Sequence, residues 1–238
     1  MTNRTVLIAG MSNTGKSTSL RNLKDRAGYA YLNCDDKALP IGGAKAFLTN
    51  QRVTNPHDIV QYYTQLENTD QCKGIILDTL THLMASYERK VVDVSDEGFG
   101  AWKDYGNFYK SINDLIKGSN KTNIIMAHTD TQLVGMDMIS KILVKGSVGK
   151  LGVEADHSIV VTSKQMPIAQ LMEFETPLLT YSAQEKATGM KYVFSTMLNK
   201  QTVGDRTRAP LDFWKTNEMY INNDIQIVLD RFDEFYGE

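Results

Sequence analysis

The eight residues Gly10-Met11-Ser12-Asn13-Thr14-Gly15-Lys16-Ser17 leave few folds open to this chain. Their spacing, Gly-x-x-x-x-Gly-Lys-Ser, is the Walker A pattern, which works only between a buried strand and a helix. Gly10 and Gly15 let the backbone curl so that amide N–H groups, those of Asn13 and Thr14 among them, point inward at a phosphate. The helix that follows adds the positive end of its dipole. Lys16 is placed to neutralise β- and γ-phosphates, and the Ser17 hydroxyl to join a Mg²⁺ shell. The flanks agree: Thr5 to Ala9 (TVLIA) is an apolar run suited to a buried strand, and Ser17 to Arg26 is helix-compatible. The pattern therefore predicts a nucleoside triphosphate ligand, ATP with Mg²⁺.

Further apolar runs supply the rest of a sheet. Tyr29 to Leu32, Gly74 to Leu77, Asn123 to Ala127, Ser158 to Thr162 and Lys191 to Leu198 all read as strands. Asn55-Pro56 reads as the start of a helix to about Glu67, and Leu80 to Val92 and Trp102 to Ile116 have helical periodicity. The aromatic stripe of the last one is expected in the core. Met136 to Val144 suits a hairpin or a short helix equally, and a closing helix is expected from about Asp224 to Phe235. Early strands alternate with helices and later ones do not. The expected fold is a single α/β domain over 1–238, its mostly parallel sheet flanked by helices and extended by antiparallel strands toward the C-terminus.

Strand ends carry the candidate chemistry. Asp78 closes GIILD as a Walker B aspartate would, beside the phosphate loop and in support of Mg²⁺. Asp35 and Asp36 follow the second strand, and Asp35 is the candidate that activates water. An acidic turn is the plain structural alternative. His128 ends the strand Asn123 to Ala127, where a polar group can touch a γ-phosphate. Lys141, Lys145 and Lys150, interleaved with Gly146, Gly149 and Gly152, predict a cationic loop able to hold the phosphates of a single strand. Lys200, Arg206 and Arg208 are candidates for a finger on the γ-phosphate, within the subunit or across an interface. Solvated turns would account for both basic segments equally well.

Composition narrows the function classes. At 42% hydrophobic and 23% charged residues the chain is ordinary for a soluble protein, and no apolar run is long enough to span a bilayer. The first residues lack the anatomy of a signal peptide, so a cytoplasmic location is expected. A net charge of −2 excludes an overall basic coat. Cys34 and Cys72 fit neither a metal pattern nor a disulfide framework and are expected as free thiols.

Taken in order, GMSNTGKS, YLNCDD, GIILDTLTHL, NIIMAH and the stretch leading to ADHSIVVTS resemble the RecA-like P-loop ATPases. The likeness is closest to small phage-encoded members described as ATP-binding or single-strand annealing proteins. The resemblance implies a RecA-type core in which Lys16 and Ser17 bind phosphate and magnesium, Asp78 supports the metal and Asp35 is the catalytic carboxylate. It also implies that His128 senses the γ-phosphate and that Lys141 to Lys150 contacts DNA. It implies single-stranded DNA as a partner in recombination, annealing or repair, together with a homo-oligomer, a single-strand binding protein and a host cytoplasm. The family's glutamate is an aspartate here, and the first strand starts within a few residues of Met1, without the extension that helps build a RecA filament. Two other functions fit the phosphate loop: a kinase that moves the γ-phosphate to a small molecule, and a nucleotide-gated binding module with little hydrolysis.

Overall fold

Strands that are apolar at every position must be covered on both faces, and this requirement organises the molecule. The computed structural model describes residues 4–135, 137–200 and 202–237. Its central strands are β1 (Thr5–Gly10), β2 (Tyr29–Asn33), β3 (Thr49–Arg52), β4 (Gly74–Asp78), β5 (Thr122–Val134) and β7 (Ile159–Pro167). They pair in parallel in the order β3-β2-β4-β5-β1-β7. The sheet continues antiparallel through β8 (Met190–Ser195) and β9 (Tyr220–Asn222), and β6 (Asp137–Ile142) pairs antiparallel with the outer half of β5. The expected parallel core with antiparallel additions is what the chain builds.

Residues of opposite parity feed two cores. Leu7, Ile75, Leu77, Ile125 and Ala127 face a layer made by α1 (Asp58–Glu67), α2 (Leu80–Tyr87) and α3 (Gly98–Gly118). Val6, Ile8, Ile76, Ile124 and Met126 face Leu20, Phe213, Trp214 and the last helix, α7 (Ile225–Tyr236). Three short helices complete the set: α4 (Gly146–Leu151), α5 (Ile168–Leu171) and α6 (Ala183–Thr188). The stripe of α3 is core as expected, with Tyr105, Tyr109, Ile112 and Ile116 buried, although Trp102 is 38% exposed.

Several elements differ from expectation, each for a local reason. The segment after the phosphate loop is a 3₁₀ helix, Ser17–Asn22, in place of an α-helix to Arg26. Its buried residues are Ser19 and Leu20, and the chain leaves helical geometry at Leu23, which is itself buried. The helix opened by Asn55-Pro56 begins at Asp58, because the Asn55 side chain makes a turn by accepting from the His57 N–H and donating to Asp58. Beyond α2 the chain widens into a π-helical turn, Glu88–Val92. The open choice over 136–144 falls as a hairpin strand, β6, with Met136 itself outside the described residues. Strand β3, with the polar sequence TNQR at the sheet edge, carries no apolar signal and is not foreseeable from periodicity.

Candidate nucleotide-binding site

The carboxyl ends of the parallel strands meet along one edge, the usual place for a ligand in an open α/β sheet. Register sets the neighbours: Gly10 stands beside His128, and Asn33 beside Asp78. The loop after β1 curls through Asn13 at φ 61° and Gly15 at φ 91°, left-handed values that favour glycine at the second position. Gly10 is required by proximity, since a Cβ there would lie 2.5 Å from the Ser163 carbonyl oxygen.

The loop is braced from the far end of the chain. Ser163 Oγ donates to the Thr14 carbonyl at 2.6 Å, and the buried Asn223 Nδ2 donates to Ser163 Oγ at 2.9 Å. The Tyr192 ring packs against Gly15, with Cδ1 3.2 Å from where a Cβ would be. Sequence reasoning missed Ser163, Tyr192 and Asn223, because nothing local marks contacts across so many residues.

Within the loop, Lys16 Nζ donates to the carbonyls of Gly10 at 2.9 Å and Met11 at 2.8 Å. Ser17 Oγ donates to Asp78 Oδ2 at 2.6 Å, and Tyr31 OH donates to the same oxygen at 2.5 Å. Burial pushes the Asp78 carboxyl above the usual range, while the Ser17 and Tyr31 hydroxyls pull it back. Burial also lowers the Lys16 ammonium to about 8, against the attraction of Asp78 and Asp35. Tyr31 was not among the sequence candidates, and its aromatic body gave no hint of that contact.

His128 closes the other side. Its Nδ1 is 3.2 Å from Lys16 Nζ, its ring meets His82 edge-on at 5.1 Å, and its backbone N–H donates to Thr81 Oγ1 at 2.9 Å. Burial, then the Lys16 and His82 charges, lower its pKa to about 4. His82 is itself fixed by Thr79, whose Oγ1 is 2.8 Å from its Nδ1 and caps α2. The Asp78–Thr79 peptide that leads into this cap is cis.

The two acidic candidates after β2 separate. Asp35 lines the cleft and pairs with Lys37 at 3.2 Å, its Oδ1 accepting the Lys37 backbone N–H at 2.9 Å. Asp36 turns away, in a left-handed conformation, onto Arg52. The cleft itself holds about 320 Å³ and brings together Asn13 to Ser17, Asp35, Asp78 and His128.

The donor set fits magnesium. A serine hydroxyl and a carboxylate in contact offer hard oxygens, and such a cation takes most of its remaining ligands from phosphate and water. Among the described residues no group of three or more His, Cys, Asp or Glu makes an all-protein cage. The two cysteines are free, and burial raises the Cys34 thiol.

The basic candidates do not gather at this cleft. Lys141 is exposed on strand β6, Lys145 precedes α4 and pairs with Glu88 at 2.6 Å, and Lys150 lies within α4 with its side chain outside the described ones. The expected loop is therefore a strand and a helix. Arg206 pairs with Glu154 at 3.0 Å and donates to the Ser140 carbonyl; Arg208 donates to the Ala155 carbonyl at 2.6 Å, and Lys200 is exposed. Neither arginine lines the phosphate cleft, so a finger within the subunit is not what the fold forms. Among the described residues no helix is long and apolar enough to cross a membrane.

Comparison with known protein families covers most of the chain. A family model described as an AAA domain matches residues 2–162, which include the phosphate loop, Asp35, Asp78 and His128. No curated protein matches the chain.

Proposed function

Since the chain belongs to the AAA domain family of nucleotide-binding ATPases, we propose that it hydrolyses ATP and couples the reaction to single-stranded DNA. The observation that carries this reading is the path of β5. One strand places His128 beside Lys16 and then runs on to pair with β6, where Lys141 is exposed. A change at the γ-phosphate end thus has a direct covalent and hydrogen-bonded route to the hairpin in which Lys141 stands opposite Asp130.

The chemistry assigned to each residue follows from its placement. Loop amides and Lys16 bind and orient the triphosphate. Asp35 orients water for in-line attack and accepts its proton as the bond to the bridging oxygen breaks. His128, kept neutral, offers a hydrogen-bond donor without adding charge. Ser17 and Asp78 would hold Mg²⁺, which supplies neutralisation of phosphate charge when bound. Transfer to a small acceptor is disfavoured by Arg206 and Arg208, which sit on Glu154 and Ala155 and leave Lys37, paired with Asp35, as the one lysine or arginine besides Lys16 that lines the cleft among the described residues.

The test is phosphate release by the wild type and Lys16→Ala, each with and without single-stranded DNA, beside DNA retention over a salt series. Lys16→Ala should lose turnover, DNA should change the wild-type rate, and Lys141→Ala with Lys145→Ala should weaken retention and reduce its salt dependence. An unchanged rate and no retention at low salt would overturn the DNA assignment. Phosphate found on an acceptor instead of in water would overturn hydrolysis.

A further inference from the structure

The phosphate cleft has two ends with different chemistry. Asp35, Asp78 and His128 come from the β2, β4 and β5 side of β1 in the sheet order, whereas Tyr192, on β8, comes from the opposite side and shares a second cleft with Thr18. That second cleft holds about 750 Å³, and the two spaces adjoin. Metal support and water activation serve the terminal phosphate, which fixes the direction in which a bound triphosphate runs. Its α end must point toward Thr18 and Tyr192, and whatever is esterified to it continues into the second cleft.

The walls of that cleft suit a flat heterocycle. Tyr192 and Gln165 are cross-strand partners in the β7–β8 ladder, which places an aromatic ring and an exposed amide side by side. Tyr181 lines the same cleft, and its buried hydroxyl has no hydrogen-bond partner among the described residues. Lys191 on this wall is 3% exposed and paired with Glu185 at 2.7 Å, while Arg21 donates to the Thr18 carbonyl at 3.4 Å and Asp224 accepts from Asn22 at 2.6 Å, so each charged group of the lining already has a polar partner. A nucleobase has apolar faces and a rim of donors and acceptors, which matches ring, amide and hydroxyl.

From this we infer that the second cleft takes the base and ribose of the nucleotide, with Tyr192 against the base face and Gln165 and Tyr181 at its polar edge. The inference rests on the triphosphate reading of the first cleft. Gln165, Tyr181 and Tyr192 all lie beyond residue 162, outside the segment matched by the AAA domain, so recognition of the base belongs to the C-terminal part of this chain.

The experiment compares the equilibrium binding of ATP and of inorganic tripolyphosphate, both with Mg²⁺, by wild type and variants. Tyr192→Ala should weaken ATP ~5- to 150-fold, the range of lost aromatic stacking, and Tyr192→Phe should restore it. Gln165→Ala and Tyr181→Phe should each weaken ATP by roughly 2- to 13-fold, the range of one lost hydrogen bond, and shift tripolyphosphate by less than about twofold. Gln165 is exposed, so its variant keeps the test decisive if Tyr192→Ala does not fold. Variants that bind ATP like the wild type, or that weaken both ligands alike, would overturn the nucleoside assignment and leave the phosphate site standing. Unchanged ATP binding by Lys16→Ala would overturn the phosphate site and the nucleoside assignment with it.

Discussion

Lys16 Nζ stands 3.2 Å from His128 Nδ1 and helps hold the imidazole pKa down to about 4, while the ammonium itself is lowered to about 8. Burial contributes most to both shifts. At neutral pH the lysine therefore keeps its proton and the imidazole has none to spare on Nδ1, which accepts from the ammonium. The remaining imidazole proton is on Nε2, the nitrogen free to donate toward a phosphate oxygen.

His128→Ala should then lower kcat while sparing ground-state binding. Loss of one donor that acts on developing charge costs about 10²- to 10³-fold in kcat where it is fully engaged. A KM within a few-fold of the wild type, measured in steady-state assays, would agree. Equal losses in nucleotide affinity and turnover would show that His128 serves only to hold Lys16.

Asp78→Asn keeps the shape of the side chain and removes its charge, at a position where one oxygen accepts from both Ser17 and Tyr31. The concentration of Mg²⁺ giving half-maximal turnover should rise by about tenfold or more, a loss of roughly 1.4 kcal/mol in metal binding. Tyr31→Phe should produce a smaller shift in the same direction. A magnesium titration unmoved by Asp78→Asn would remove the metal role from this residue.

Gly10→Ala should destabilise the fold by about 1–3 kcal/mol, because the added carbon meets the Ser163 carbonyl at 2.5 Å and both strands are fixed in the parallel ladder. The control is Gly118→Ala at the end of α3, where a Cβ meets nothing within 4 Å. Urea midpoints should separate the two variants clearly. Similar midpoints would mean that β1 and β7 can slide apart at little cost.

Acid should weaken the protein before its carboxylates titrate. His157 is 3% exposed, its Nδ1 has no partner among the described residues, and burial lowers its pKa to about 4. Between about 6.5 and about 4 the unfolded chain takes up a proton that the folded chain refuses at His157 and at His128. Stability from these groups is therefore complete above pH 6.5 and falls as the pH drops through that window. Asp78, held above its ordinary value, opposes this in sign. Urea midpoints at pH 7 and pH 4.5 should differ less in His157→Gln than in the wild type.

Local features of the site were legible in the sequence, and long-range ones were not. Gly10 to Ser17, the aspartate of GIILD and the histidine after NIIMA are each fixed by neighbours within a few residues, and the strands they end are apolar throughout. Register alone then brings Gly10, His128, Asp78 and Asn33 to one edge. Tyr31, Ser163, Tyr192 and Asn223 look like ordinary strand or loop residues, and only the sheet order gives them a role. The fate of Arg206 shows the converse. A basic loop promises a phosphate contact, yet Glu154 and the Ser140 carbonyl hold the guanidinium elsewhere.

The brace from Asn223 through Ser163 to Thr14 also orders events during synthesis. The residues that grip phosphate leave the ribosome some two hundred residues before the amide that locks their loop. A nascent chain thus carries the motif long before it owns the site. The loop reaches its braced form only when residue 223 has been made and docked.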